Sequence, residues 1–402
     1  MNLTTALKPL FQRSQPQQIS SGFSLFGGVT TKSGTPVNQK TALTLSAFYN
    51  AVEIITNDFA KLPKSVFQKQ ADSRIKLSDH PVNYLISKRP NQYMTAIMFD
   101  KVMILNAILK GNGYAIIERN NAGIPVALQL IDQDKHPVQV VEYNNKLFYK
   151  VNDTVYAAAD MLHIPGFSFN GITGISVITA AANSLGVNLN SQEYAAEYYN
   201  SKGIGTGVVT SSVSMTDDAK SRLGSALASV FNNKENYKIP IIDEAAQFQH
   251  INITPQESQF IQTHKQGVEE IARWLNISIH KLKVLDNINN SITENLEIQH
   301  ISDSVLPWAI KFEQEYSTKL FTPREIAANI YIKANINALL RSDTKTKGEY
   351  FGKAISWGWL TRNEVRALEE LNPLDGLDEP LTPVNTMTQE QINKTLNDEQ
   401  NN

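Results

Sequence analysis

Seven histidines, His80, His136, His163, His250, His264, His280 and His300, are the side chains of this sequence best suited to hold a metal or move a proton at neutral pH. None stands at an HExxH or comparable ligand spacing, so each reads as structural. Ser73-Arg74-Ile75-Lys76 has the types of a hydroxyl nucleophile and its base, but the motifs that accompany that pair are missing and chance explains it. Gly352-Lys353 lacks the upstream glycine and the following Ser or Thr of a phosphate loop, which argues against an ATP-driven motor. Gly203, Gly205 and Gly207 follow a helical pattern instead of joining a strand to a helix, the reverse of a dinucleotide fingerprint, and read as a helix stop and turn. Gly171 to Gly174 does lie between a strand (Met161 to Ile164) and a helix, a weak signal for phosphate. Asp132 and Asp134 read as solvated turn residues. With no cysteine, disulfides, thiolate metal sites and cysteine nucleophiles are excluded together. No active-site constellation remains, and the sequence is read as a non-enzyme with no cofactor and no metal.

Composition narrows the classes further. At about 150 residues per domain, 402 residues allow two or three domains. Hydrophobic residues at 42% and charged residues at 19% set aside collagen-like and wholly disordered chains. Lys and Arg number 37 against 39 for Asp and Glu, a net charge of -2, so no global attraction to nucleic acid or to an anionic membrane is available. No stretch approaches the roughly 18 apolar residues of a spanning helix, and Met1 to Gln18 lacks the apolar core of a signal peptide. The reading is a protein made in a cytoplasm, with no membrane.

The elements that must position any site follow from periodicity. Residues 1–40 hold Lys8, Arg13, Lys32 and Lys40 without an acid, a flexible basic arm. Leu45, Phe48, Val52, Ile55 and Phe59 predict a helix stopped before Pro63, and Thr95 caps a second at 95–110, with Phe99, Val102, Leu105 and Leu109 on one face and Gly111 at its end. The period then changes to two. Tyr114 to Arg119 and Ile124 to Leu130 form a hairpin, and Val138 to Tyr143, Lys146 to Val151 and Thr154 to Ala157 a meander with turns at Asn144-Asn145 and Asn152-Asp153. Helices are expected at 175–202, ending at Gly203; at 217–231, capped by Thr216 with Leu223, Leu227 and Val230 in one stripe; and at 257–275. A short strand at Tyr237 to Ile242 precedes the last of these. A polar loop at 286–293 leads to a helix at 294–320 that Pro307 should kink. Two short helices occupy 343–370, the second opened by the capping box Thr361-Arg362-Asn363-Glu364. The polar segment 379–402 is expected to be disordered. The fold class is α+β, mainly helical.

Taken in order, several segments resemble the portal protein of tailed bacteriophages, of the Hong Kong 97 type. They are His80-Pro81 with Arg89-Pro90-Asn91; Gly111-Asn112-Gly113-Tyr114-Ala115; Leu162-His163-Ile164 with Gly171 and Gly174; Glu270-Ile271-Ala272; Leu306-Pro307; and Thr361-Arg362-Asn363-Glu364-Val365-Arg366. The match runs from about 44 to 378, and the order of the motifs carries it. Two departures from the family, Ser176-Val177 and Ile277-Ser278-Ile279-His280 in place of prolines, should alter loops without changing the fold.

The resemblance implies a ring, usually of about twelve copies, at one capsid vertex, through which DNA is packaged and later ejected. It divides the chain into a wing at 41–173, a first stem helix at 174–202, a small α/β clip at 203–255 and a second stem helix at 256–276. Beyond these come a tunnel loop and long kinked helix at 277–320 and a helical crown at 321–378. The implied partners are further copies of the chain, double-stranded DNA passing without sequence specificity, the terminase large subunit, the head-tail adaptor and the major capsid protein. The implied location is the portal vertex of the virion, after assembly in the host cytoplasm. On the second stem helix Phe260, Ile261, His264, Val268, Ile271 and Leu275 make an apolar face, while Lys265, Glu269 and Arg273 step by four along a polar one and can pair. The candidate DNA-facing loop comprises Asn287, Asn289, Asn290 and Ser291, short polar side chains that touch a polyanion without gripping it, bordered by Lys281 and Lys283. Two other readings stay open on residues alone: a monomeric scaffold or adaptor of the virion, and a nucleic-acid-processing enzyme with a dispersed site.

Overall fold

The computed structural model describes residues 17–18, 29–31, 34–71, 73–200, 207–211, 216–222, 225, 246–250, 257–283, 290–339, 344–369 and 371–381. The chain divides into a larger unit, Met1–Ala334, and a smaller one, Asn335–Asn402. Short antiparallel sheets set among helices make it α+β and mainly helical, as expected.

Part of the expected flexible arm belongs to the fold. Strand β1 (Gln17–Gln18) adds to the edge at Glu142 and Val141, and β2 (Val29–Thr30) pairs with β3 (Pro36–Val37). An open sheet edge presents unpaired N–H and C=O groups, and β1 supplies partners for them. The following helix, α1 (Gln39–Ala42), starts at a reciprocal cap in which Asn38 and Thr41 each accept the other's backbone N–H. Residues 1–16, 19–28, 32 and 33 of the arm lie outside the described residues.

Helix α2 (Ser46–Ala60) buries Phe48, Val52, Ile55 and Phe59 at the expected spacing. Strands β4 (Lys64–Lys69) and β5 (Arg74–Lys76) follow, then α3 (Pro81–Ser87), whose cap is His80, with Nδ1 accepting from Val82 N. Helix α4 (Ala96–Leu109) starts at Thr95 and ends before Gly111 at φ +88°, both as predicted. Its apolar face is a correction: Met103, Ile104, Ala107 and Ile108 are buried along with Phe99 and Leu109, and Val102 and Leu105 only half so. The helix packs against α2 and against β6 (Asn112–Arg119), and a helix apolar all round gives periodicity no single face to find.

The hairpin of β6 with β7 (Pro125–Leu130) and the meander β8 (Val138–Tyr143), β9 (Lys146–Val151), β10 (Thr154–Ala157) form as read. Asn144, Asn145 and Asn152 take φ of +51°, +58° and +51°, the left-handed geometry that asparagine tolerates. They form two sheets, because β11 (Met161–Pro165) returns to pair with β6 and gives the order β11-β6-β7, while the meander joins β1 as β1-β8-β9-β10.

The expected helix at 175–202 is interrupted. Ser176 accepts from Ile178 N and Thr179 N, so α5 (Val177–Ala180) begins only there, and Ala181, at ψ +10°, separates it from α6 (Ala182–Asn200). Neither alanine at the break carries a sequence signal for one. Gly203 lies outside the described residues. Gly207 opens β12 (Gly207–Ser211), paired with β13 (Ala246–His250), so it belongs to a strand and not to a glycine turn. Residues 217–222 are helical after Thr216, as expected; Leu223, Leu227, Val230 and the strand expected at 237–242 fall outside the described residues.

Helix α7 (Glu257–Leu275) keeps its predicted bounds, but the next helix, α8 (Asn290–His300), starts four residues before the expected 294. The kink assigned to Pro307 is a π turn at Ile301–Val305 leading into α9 (Leu306–Lys319). Proline has no N–H to offer the Asp303 carbonyl four residues back; Asn276 Nδ2 donates to it instead at 2.8 Å, and Ser304 Oγ donates to Asn276 O at 2.5 Å. Asn276 itself stands at φ +51° as it closes α7.

After α10 (Pro323–Ala327), β14 (Ile330–Ala334) pairs with β4 to complete the sheet β14-β4-β5. Its outer edge is closed by α9, where Ser317 Oγ accepts from Ile332 N at 3.0 Å and Glu313 Oε1 from Ala334 N at 2.8 Å. Residues 321–334, expected in the crown, therefore belong to the larger unit. Its core includes Phe59 and Phe312, ring centroids 4.5 Å apart, and a buried ion pair, Lys64 Nζ to Asp100 Oδ2 at 2.6 Å, which Tyr316 joins through Asp100 Oδ1.

The smaller unit holds α11 (Thr344–Ser356) and α12 (Arg362–Leu368). The predicted capping box is formed, with Thr361 Oγ1 accepting from Glu364 N and Glu364 Oε2 from Thr361 N. Residues 382–402 of the expected tail lie outside the described residues. No described helix is long and apolar enough to cross a membrane.

Candidate functional site

Two constructions position the candidate stem and tunnel segments. The first joins the glycine motifs. Gly111 links α4 to β6, which opens with Asn112-Gly113, and Gly174 lies just before the cap of α5. Asn112 Oδ1 accepts from Gly174 N at 2.7 Å while its Nδ2 donates to Gly174 O at 3.1 Å, a two-point grip on the backbone of one residue. Side chains do not fit here: a Cβ on Gly174 would run into Gly111 O, and one on Gly113 into Met103 O. Ser176 Oγ completes the joint by donating to Leu109 O at 2.6 Å. The Gly171 to Gly174 segment thus serves backbone packing, with its amide at Gly174 already bonded.

His163 is anchored at the same joint. Its Nε2 lies 2.9 Å from Asn112 Oδ1, an acceptor already oriented by Gly174 N, so Nε2 carries the proton and Nδ1 accepts from Tyr149 Oη at 3.0 Å. Burial, with a smaller push from the Lys319 charge, drives the imidazole pKa down to about 3, so the ring is neutral. Burial likewise pushes the Tyr114 and Tyr149 hydroxyls well above their ordinary value. The motif at Arg89-Pro90-Asn91 is also a lock: Asn91 Nδ2 donates to Leu128 O at 2.8 Å, and its Oδ1 accepts from Tyr93 N and Met94 N.

The second construction is α7 with the segment that follows it. Val268, Ile271 and Leu275 are buried as the apolar face requires, but His264 is exposed, and the side chains of Phe260 and Ile261 lie outside the described residues. Gly267 meets α6, where a Cβ would overlap Asn188 Oδ1, so the two helices approach closely at this point. On the polar face Arg273 pairs with Glu269 at 3.3 Å and with Glu270 at 2.6 Å. Lys265 is exposed and has no ion pair among the described residues, so the expected three-residue ladder is formed only in its second half.

Beyond α7, a 3-10 turn at Ile279–Leu282 leads to Lys283, exposed and left-handed at φ +58°. Lys281 is not a free phosphate contact: its Nζ lies 2.5 Å from Glu297 Oε2 on α8. The other carboxylate oxygen takes His280 Nε2 at 3.3 Å. Burial raises the Glu297 pKa, but the Lys281 hydrogen bond and charge, helped by His280, outweigh it and hold the carboxyl below its ordinary range. His280 is pushed down by burial against the opposing pull of Glu297. Asp58 on α2 ends below its ordinary value because His300 and Lys61 together overcome its burial. Asn287 and Asn289 lie outside the described residues, and Asn290 and Ser291 are the first residues of α8 and not part of a loop. Glu297 was missed in the sequence because nothing local marks a glutamate that will reach back to a turn before the loop. The described residues contain no cluster of His, Asp and Glu able to hold a metal.

Comparison with known proteins bears on all of this. The phage portal protein family matches residues 46–370. The portal protein of Enterobacteria phage HK97 is 24% identical over 351 residues, 85% of this chain and 82% of that one. Among solved structures, the crystal structure of an HK97 family phage portal protein from Corynebacterium diphtheriae superposes with a TM-score of 0.60 at 14% identity, over 77% of this chain and 99% of the other. A chain in the neck of a native gene transfer agent particle, computed with C12 symmetry, gives a TM-score of 0.51 at 17% identity, over 84% of this chain and 95% of that one.

Proposed function

The chain belongs to the phage portal protein family, and on that premise we propose that it assembles into a ring of about twelve copies forming the DNA conduit at one vertex of a capsid. The observation that carries this is the family match over 46–370, which takes in the helices from α2 to α12. In the ring α6 and α7 form the stem, the segment 203–255 is the clip that docks the terminase large subunit and later the head-tail adaptor, and the outer surface meets the major capsid protein. The protein resides in the virion and catalyses nothing; its work is to shape a channel.

Electrostatics supports a channel that lets a polyanion slide. Each phosphate neutralised releases counterions and strengthens binding, and a ring repeats every contact in each copy. Of the two lysines expected to border the tunnel segment, Lys281 is already paired with Glu297, and Lys283 is the exposed one. Glu297 on α8 holds Lys281 and His280 and so ties α8 to the 3-10 turn that follows α7.

Mass photometry of the purified chain with negative-stain images tests the ring: a closed ring of about a dozen subunits with a central channel is expected, and a monomer at every concentration would return the adaptor reading to the front. Asn289→Trp or Asn289→Glu should leave rings intact and impair DNA filling of particles. Normal filling would remove the tunnel assignment.

A further inference from the structure

The smaller unit leaves two apolar surfaces bare, and they differ in chemistry. The first is aromatic. At the end of α11 the turn Trp357-Gly358-Trp359 exposes Trp357 by 67% and Trp359 by 58%. The turn is held firmly: Trp359 Nε1 donates to Lys353 O at 3.2 Å, the Tyr350 ring lies 5.5 Å from that of Trp359, and Gly358, at φ +70°, is backed by Leu381 O. Lys353 is exposed in the last turn of α11, next to this surface.

The second surface is aliphatic and acidic. Leu371 and Leu374 are exposed beyond α12, with Asp375 and Glu379 exposed beside them. This loop too is fixed in place, because buried Asn363 donates to Leu374 O at 2.8 Å and accepts from Leu374 N at 3.0 Å, and Arg366 Nε donates to Asn372 O at 2.8 Å.

Bare tryptophans and leucines rimmed by charge mark an interaction surface. A two-fold contact would need one surface complementary to itself; two unlike surfaces of opposite charge suit a head-to-tail contact between identical copies, the kind that closes a ring. We propose that the tryptophan turn at 357–359 of one copy docks on the acidic leucine loop at 371–375 of the next, with Lys353 facing Asp375. The proposal rests on the ring reading above and names the partner of this surface as a second copy of the chain.

The absence of cysteine makes the test direct. Ser356→Cys and Asn372→Cys place thiols beside the two surfaces at exposed positions and leave the anchoring side chains in place. Assembled full-length rings of the double variant, treated with a bismaleimide, should give a ladder of covalent oligomers up to ring size on a denaturing gel, and each single variant none beyond a dimer. Asp375→Lys should lower the fraction of chains in rings, and adding Lys353→Glu should restore it. Intact rings that give no ladder, or an Asp375→Lys variant that assembles like the parent, would place the contact elsewhere and overturn this proposal alone. A parent chain that never leaves the monomer would overturn the ring reading together with it.

Discussion

Replacing Asn112 by Ala strikes the joint where α4, β6, β11 and the segment leading into α5 meet. Three groups lose their partner at once: Gly174 N–H, Gly174 C=O and His163 Nε2–H. Asn112 is 6% exposed and His163 7%, so water has poor access to replace them. At about 1–3 kcal/mol for each buried polar group left unpaired, and allowing for partial relaxation, the expected loss is about 3–6 kcal/mol. Against a stability of about 5–15 kcal/mol, such a loss would dominate the behaviour of the variant. Urea unfolding followed by far-UV circular dichroism reads it. With a slope of about 3 kcal/mol per molar, the midpoint should fall by about 1–2 M. Asn112→Asp keeps an acceptor for Gly174 N and His163 but gives nothing to Gly174 O, so it should lie between the two. An Asn112→Ala midpoint within about 0.3 M of the parent would refute the reasoning, since it would put the three bonds below about 1 kcal/mol together.

His163, neutral in the fold with a pKa near 3 against an ordinary 6.5, makes the unfolded state bind a proton first as pH falls. Its contribution is complete above about pH 6.5 and should be lost progressively toward pH 3, by about 5 kcal/mol at most, so urea midpoints measured from pH 7 down to 4 should decline less in His163→Asn. Glu297, held low by Lys281, contributes above its unfolded pKa and loses that contribution as pH falls through the lower folded value. Because the pair is partly exposed, Glu297→Gln should cost only about 1 kcal/mol, read as faster amide exchange at 279–283 with rings retained; unchanged exchange would show that the tie is not stabilising. Asn276→Ala loses both the left-handed tolerance and the bond to Asp303 O, an expected cost of about 2–3 kcal/mol, whereas Asn276→Gly keeps the backbone geometry and should lose about half as much; equal losses would mean that the side-chain bond is the whole effect.

Local chemistry was legible wherever neighbouring residues decide the outcome. The capping box at Thr361 and Glu364 and the asparagine turns at 144–145 and 152 formed as read, because each depends on residues within one turn of the chain, and the bounds of α7 also held. Misreadings arose where a distant element took over. The face of α4 was hidden by packing on two sides, β8 captured part of the arm as β1, and β14 left the expected crown to pair with β4. Site residues followed the same rule: the i to i+4 pair Glu269 and Arg273 was visible, while Glu297, closing on Lys281 from another helix, was not.

Periodicity, turn residues, the absence of cysteine and the order of weak motifs were enough, in the sequence by itself, to determine an α+β chain of the portal kind and to exclude most chemistry. Only the tertiary structure decided what the motifs do. The pair Gly111-Asn112, His163 and Gly174 are far apart along the chain and unremarkable one by one, and their meaning lies in a single joint where two backbones come too close for any side chain and one side-chain amide bonds both backbone groups of a glycine. Such contacts leave no local pattern because their partners are chosen by how the sheets and helices stack, and that stacking depends on burial summed over the whole unit.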